Sequence, residues 1–214
     1  VTRTRIKICG VRSLDAVRAA GDSGADAVGF VFHAASPRAI APEAAWELVA
    51  HLPPFLTSVG LFVDPSVDRF CDVEEQCPTA MSQLHGDEDE EVAEECGPNI
   101  IKAVRFNPET IAADLERWDG VDAVAAILVD GSAGGEGAAC DWKALAPVVA
   151  ARGQGAKPII LAGGLTPENV GEAIRTVRPW GVDVSSGVES ARGVKDPARI
   201  AAFCAAVQRA DVGA

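Results

Sequence analysis

Residues 157–170 read Lys157-Pro158-Ile159-Ile160-Leu161-Ala162-Gly163-Gly164-Leu165-Thr166-Pro167-Glu168-Asn169-Val170. An apolar run of strand length passes through two glycines to a threonine cap with proline at the first helical position, which is one strand–loop–helix unit. The unit recurs along the whole chain. Strand-length apolar runs stand at roughly 5–9, 27–32, 56–63, 79–84, 99–105, 123–130, 157–162 and 181–186, each followed by a helical pattern. Ser13, Asp64, Asn107, Thr166 and Asp196 are the expected N-caps, and Pro65, Pro108, Pro167 and Pro197 follow the last four. Strands alternating with helices form a parallel sheet with crossover connections. Eight such units with short loops, and no linker or break in composition, predict a single closed (β/α)8 TIM barrel over residues 1–214. An open doubly wound sheet is the alternative, but no GxGxxG turn follows the first strand.

Composition narrows the function classes. The chain has 214 residues, 48% hydrophobic and 23% charged, which is ordinary globular usage and excludes disorder along most of its length. With 31 acidic against 19 basic residues and a net charge of −12, nucleic acid and anionic membranes are not expected partners. A small anionic ligand remains possible, because backbone amides and a few placed cations bind one locally. No apolar run approaches a membrane span, and Val1 to Gly10 carries basic residues without the apolar segment of a secretory signal, so a cytoplasmic protein is expected. Cys9, Cys71, Cys77, Cys96, Cys140 and Cys204 lack CxxC spacing and stand apart from histidine except His85. They read as reduced thiols, with no metal site expected.

In a parallel barrel the site lies at the C-terminal ends of the strands. There the chain puts Cys9-Gly10, Gln83-Leu84-His85-Gly86, Arg105, Asp130, Gly163-Gly164 and Ser185-Ser186-Gly187, with Ser36-Pro37-Arg38 after the second strand. Two glycines before a capped helix, beside a Ser-Ser-Gly turn on the next strand, bring backbone amides close to a ligand. Loops seven and eight are where such barrels frequently hold a phosphate, although the same residues also suit two tight turns. Cys9 alone reads equally as a small buried apolar residue, and Asp130 alone as a turn cap. Set across one barrel mouth, a thiol and a carboxyl can take a proton from one atom of a small substrate and give one to another. Period-two alternation puts Lys7 on the face of Cys9, and Asp183 on the face of Ser185 in the strand that closes against the first. A buried Lys7 needs a partner, so a Lys7–Asp183 pair is expected, with a lowered Cys9 pKa beside it. The acidic stretch Asp87 to Glu95 reads as a solvated fourth helix.

At these positions the chain resembles the phosphoribosylanthranilate isomerase family, (β/α)8 enzymes of tryptophan biosynthesis. The resemblance is carried by Lys7-Ile8-Cys9-Gly10, by Gly24 to Phe30 with Phe32, and by Ser36-Pro37-Arg38. Gln83 to Gly86, Gly134-Gly135, Gly137, Asp141-Trp142, Leu161 to Val170, Gly181 to Glu189 and Lys195-Asp196 continue it in order over the whole chain. It implies an Amadori rearrangement of N-(5-phosphoribosyl)anthranilate to 1-(2-carboxyphenylamino)-1-deoxyribulose 5-phosphate, with no cofactor. Asp130 is then the general acid on the ring oxygen, with its pKa raised, and Cys9 the base at carbon 2. Arg38 is expected to bind the anthranilate carboxylate, with Asp183 also at the substrate. Gly163, Gly164, Ser185, Ser186 and Gly187 would hold the phosphate, and Arg105 would add charge at the mouth. Two residues depart from the family pattern: Glu136 stands where Thr or Ser is common, and Cys140 where an aromatic residue is usual. The related aminoaldose isomerase of histidine biosynthesis uses an aspartate at the end of strand one, where this chain has Cys9. A non-catalytic phosphate-binding barrel would have no need of the acid and base. A monomer is expected.

Overall fold

The computed structural model describes residues 3–131 and 141–212. Eight parallel strands close into a barrel in chain order: β1 (Arg5–Cys9), β2 (Ala27–Val31), β3 (Thr57–Phe62), β4 (Met81–Leu84), β5 (Ile100–Arg105), β6 (Val124–Asp130), β7 (Ile159–Ala162) and β8 (Gly181–Val184). The helices between and after them are α1 (Leu14–Asp22), α2 (Pro42–Val49), α3 (Val67–Gln76), α4 (Glu90–Cys96), α5 (Ile111–Asp119), α6 (Trp142–Ala150), α7 (Val170–Val177) and α8 (Pro197–Val212). The barrel shuts where β8 pairs with β1, with Lys7 opposite Asp183 in the register. Among the described residues no helix is long and apolar enough to cross a membrane.

Strand periodicity builds two apolar layers. Ile6, Ile8, Val28, Phe30, Ile127, Leu161 and Val182 point outward into the shell between sheet and helices, all of them buried. Val59, Ile101, Ala103, Ala126, Leu128, Ile160 and Ala162 face inward and fill the lumen. Strands apolar on both faces are what a parallel sheet covered by helices requires. The last helix, α8, buries Ile200, Phe203, Cys204 and Val207 and packs on α1 and α7. Each large side chain so buried contributes about 1.5–3 kcal/mol. Asp211 at its end accepts from Thr4 N at 3.0 Å and from Thr4 Oγ1 at 2.7 Å, tying α8 to the start of β1.

The helix starts correct part of the sequence reading. Ser13 caps α1 by accepting from Ala16 N, and Asp196 caps α8 by accepting from Ala198 N at 2.8 Å. Asp64 is not the cap of α3. Its backbone is left-handed at φ 45°, its carboxylate accepts from Asp87 N, and Ser66 takes the capping role toward Arg69 N. Asn107 and Thr166 each cap a turn that precedes the helix, through Glu109 N and Glu168 N. The acidic stretch is also not uniformly solvated. Glu88 is buried 2.5 Å from Lys102 Nζ and accepts from Gly86 N and Asp64 N, pinning the loops after β3 and β4. After β8 the chain adds a 3-10 turn (Ser186–Val188) and a hairpin, β9 (Glu189–Ala191) with β10 (Val194–Lys195), which strand-length runs did not reveal.

Candidate active site

A cavity of about 280 Å³ opens at the C-terminal ends of the strands. Cys9 and Asp130 line it, so the expected thiol and carboxyl share one chamber, and so do Arg38 and Asp183. Gly163, Gly164, Ser185 and Ser186 form another part of its wall. Gly187 is not on the wall, and its bare Cα has a different use. A Cβ there would stand 1.9 Å from the Leu165 carbonyl oxygen, so only glycine lets the two loops touch. Arg105 is exposed at the C-terminal end of β5, opposite Asp130 in the register, and does not itself line the cavity. Residues 134–137 and Cys140 lie outside the described residues.

The β7–α7 loop is built by its glycines. Gly163 and Gly164 hold φ of 89° and 65°, a left-handed pair that other residues adopt with strain. Asn169 then locks the turn, donating from Nδ2 to Gly164 O at 2.9 Å and accepting from Thr166 N at 2.8 Å. Among the described residues, the N–H groups of Gly164 and Leu165 make no turn or loop hydrogen bond to a backbone carbonyl, which leaves donors for an anion.

At the end of β1, Cys9 is buried beside a paired charge. Lys7 Nζ lies 3.0 Å from Asp183 Oδ1, with side chains 5% and 8% exposed, as the alternation in β1 and β8 predicts. Gly29 makes the space: a Cβ on it would meet Cys9 Sγ at 2.9 Å and Lys7 Cε at 3.3 Å. Burial pushes the Cys9 thiol upward, and Lys7 and Lys195 pull it back only in part. The expected lowering is therefore corrected: desolvation outweighs the two ammonium groups. Lys7 itself is held above its ordinary pKa. Burial opposes the charged form, but Asp183 and Cys9 together overcome it.

On the opposite side, Asp130 Oδ2 lies 3.2 Å from His85 Nε2, and His85 Nδ1 lies 2.7 Å from Gln83 Nε2. Gln83 is fully buried, so this short chain reaches from the lumen to the acid. Arg38 is positioned by the loop after β2. Its stem lies over Gly10, where a Cβ would meet Arg38 Cδ at 2.7 Å, and Gly10 has φ 79°. Its Nε and Nη2 form a fork on Glu189 at 2.7 and 3.0 Å. The edge of the guanidinium expected for the substrate carboxylate is thus partly taken, which leaves Nη1 and the second Nη2 hydrogen. Composition and spacing did not assign a role to His33, which lines the cavity, nor to Lys195 and Glu189. The apolar residues Val31, Leu61 and Val63 cluster with Cys9 and give the cavity a side suited to a ring.

A sequence model of the N-(5'-phosphoribosyl)anthranilate (PRA) isomerase family matches residues 6–206. The chain is 47% identical over 208 residues to the N-(5'-phosphoribosyl)anthranilate isomerase of Moorella thermoacetica, covering 97% of this chain and 91% of the relative. Its structure is similar to that of the phosphoribosyl anthranilate isomerase of Thermotoga maritima, with TM-score 0.85 and 37% identity over 96% of this chain and 99% of that one. A further structure, of a phosphoribosyl anthranilate isomerase in complex with reduced 1-(o-carboxyphenylamino)-1-deoxyribulose 5-phosphate, has TM-score 0.81 and 36% identity over 96% of this chain and 99% of that one. The barrel, the cavity at its mouth and the run of identities along nearly the whole chain agree: this chain belongs to the N-(5'-phosphoribosyl)anthranilate isomerase family.

Proposed function

We propose that this chain rearranges N-(5'-phosphoribosyl)anthranilate to 1-(2-carboxyphenylamino)-1-deoxyribulose 5-phosphate, with Asp130 and Cys9 moving the protons. Protonated Asp130 gives its proton to the furanose ring oxygen as the C1–O bond breaks, leaving an iminium at C1. The Cys9 thiolate removes the proton from C2, and the electron pair neutralises the iminium to an enolamine. Tautomerisation then puts a proton on C1 and makes C2 the ketone. No atom is gained or lost, and the iminium is the electron sink. Burial raises the Cys9 thiol, and Lys7 and Lys195 oppose that rise. The iminium adds a third cation beside Lys7 and Lys195 when the thiolate is needed. The phosphate rests on the amides of the Gly163-Gly164 and Ser185-Ser186 turns. The ring carboxylate meets the outer edge of Arg38, and Asp183 stays below as the counterion of Lys7. The protein works in the cytoplasm as a monomer, which sedimentation would check.

The observation that carries this reading is the common chamber of Cys9, Asp130, Arg38 and the two loops. Freshly made substrate is followed by anthranilate fluorescence with the intact protein, Cys9→Ala and Asp130→Asn. Enzyme-dependent loss of signal is expected, slowed by about 10²-fold or more in each variant. A folded intact protein without turnover would sink the proposal.

A further inference from the structure

The hairpin after β8 is joined to the site through one carboxylate. Glu189 opens β9, and its side chain is only 5% exposed. Four donors converge on it. Arg38 Nε and Lys195 Nζ reach Oε1 at 2.7 and 2.8 Å, while Arg38 Nη2 and Gly193 N reach Oε2 at 3.0 and 3.1 Å. Gly193 has φ 80°, and a Cβ on it would stand 2.4 Å from the Pro37 carbonyl oxygen. The hairpin tip is therefore seated on the same loop that carries Arg38. Lys195, itself buried, also donates to Ser185 O at 2.9 Å and Ser185 Oγ at 3.2 Å. Ser185 Oγ in turn donates to the Cys9 carbonyl oxygen at 3.0 Å.

One carboxylate thus links the arginine of the β2–α2 loop to the serine at the end of β8 and, beyond it, to the end of β1. A guanidinium offers two forked edges to an anion. With Glu189 on the Nε/Nη2 edge and Gly10 under the stem, the orientation of the group is fixed before any ligand arrives. A long flexible cation then has less to lose in ordering when it meets substrate. We propose that Glu189 is a positioning residue: it holds Arg38 with the Nη1 edge presented to the substrate carboxylate. The proposal rests on Arg38 binding the anthranilate carboxylate, as set out above.

Turnover of N-(5'-phosphoribosyl)anthranilate by the intact protein is measured first. Its absence overturns the functional reading and this one together, whereas with turnover present the variants judge Glu189 alone. Glu189→Gln, which keeps the shape and loses the charge, is expected to raise KM about tenfold or more while kcat changes less than about threefold. Glu189→Asp, which keeps a carboxylate, should recover part of that loss. In an Arg38→Met background, Glu189→Gln should change KM by less than about twofold, because its effect runs through the arginine. A KM for Glu189→Gln within about twofold of the intact protein overturns the proposal, and so does the full rise recurring without Arg38. If Glu189→Gln gives no cooperative melt, Glu189→Asp is put through the same cycle and judged by the same two outcomes.

Discussion

At the scale of single residues, the balance at Cys9 is between burial and two ammonium groups, and burial leads. Removing one ammonium must therefore move the thiol further up. Lys7→Met leaves Cys9 with less opposing charge, so the rising limb of kcat/KM against pH is expected to shift to higher pH. A limb unchanged in position would mean that Lys7 does not act on the thiol. The variant also leaves Asp183 buried without its ammonium partner, and a loss of roughly 3–5 kcal/mol of stability is expected from chemical denaturation. The Lys7–Asp183 pair was legible in sequence because two strands of known alternation meet at barrel closure, which puts inward-facing residues side by side. The sign of the Cys9 shift was not legible. It depends on how much water the packed lumen excludes, and spacing does not report that.

Elements place these residues, and here short loops decide. The loops after β7 and β8 touch through the missing side chain of Gly187, so Gly187→Ala must push Leu165 and its loop away. The barrel is expected to fold, while competitive inhibition by inorganic phosphate weakens about tenfold as the loops separate. Unchanged inhibition would show that the phosphate lies elsewhere. At the start of α3, Ser66→Ala should cost about 1 kcal/mol in chemical denaturation, as expected for a cap. An equal cost from Pro65→Ala would argue instead for general loop rigidity. Every barrel strand, and the cap positions at Ser13 and Asp196, could be read from apolar runs and helix-start signals, because these are local. The role of Ser66 was hidden by Asp64-Pro65, a stronger start signal two residues earlier. Asp64 was drawn away by a contact with Asp87 N, twenty-three positions on. The β9–β10 hairpin was missed because its strands of three and two residues are too short to show alternation.

Across the whole molecule, charge buried in pairs ties stability to pH. Burial alone would raise Glu189, but donation from Arg38, Lys195 and Gly193 N holds it down to about 2. A folded pKa below the ordinary 4.5 stabilises the fold above that value and is lost as pH falls toward about 2. The loss amounts to about 3 kcal/mol. Melting temperature should fall through that window, and Glu189→Gln should flatten the fall. Thiol chemistry gives a second test of packing. Burial pushes Cys77, Cys96 and Cys204 up to about 11, whereas Cys71 is exposed. Peptide mapping after brief alkylation at neutral pH should find Cys71 modified ahead of those three. The seam between β1 and β8 also has a consequence in time. Lys7 meets Asp183 across 176 positions of chain, so at about 5–20 residues per second a ribosome needs roughly ten to thirty seconds to deliver the counterion. During that interval the first strand has a bare edge and an ammonium with no anion. Nascent chains stalled before residue 181 should be cut readily by protease and captured by chaperones that bind exposed strands, and release of the full chain should end both.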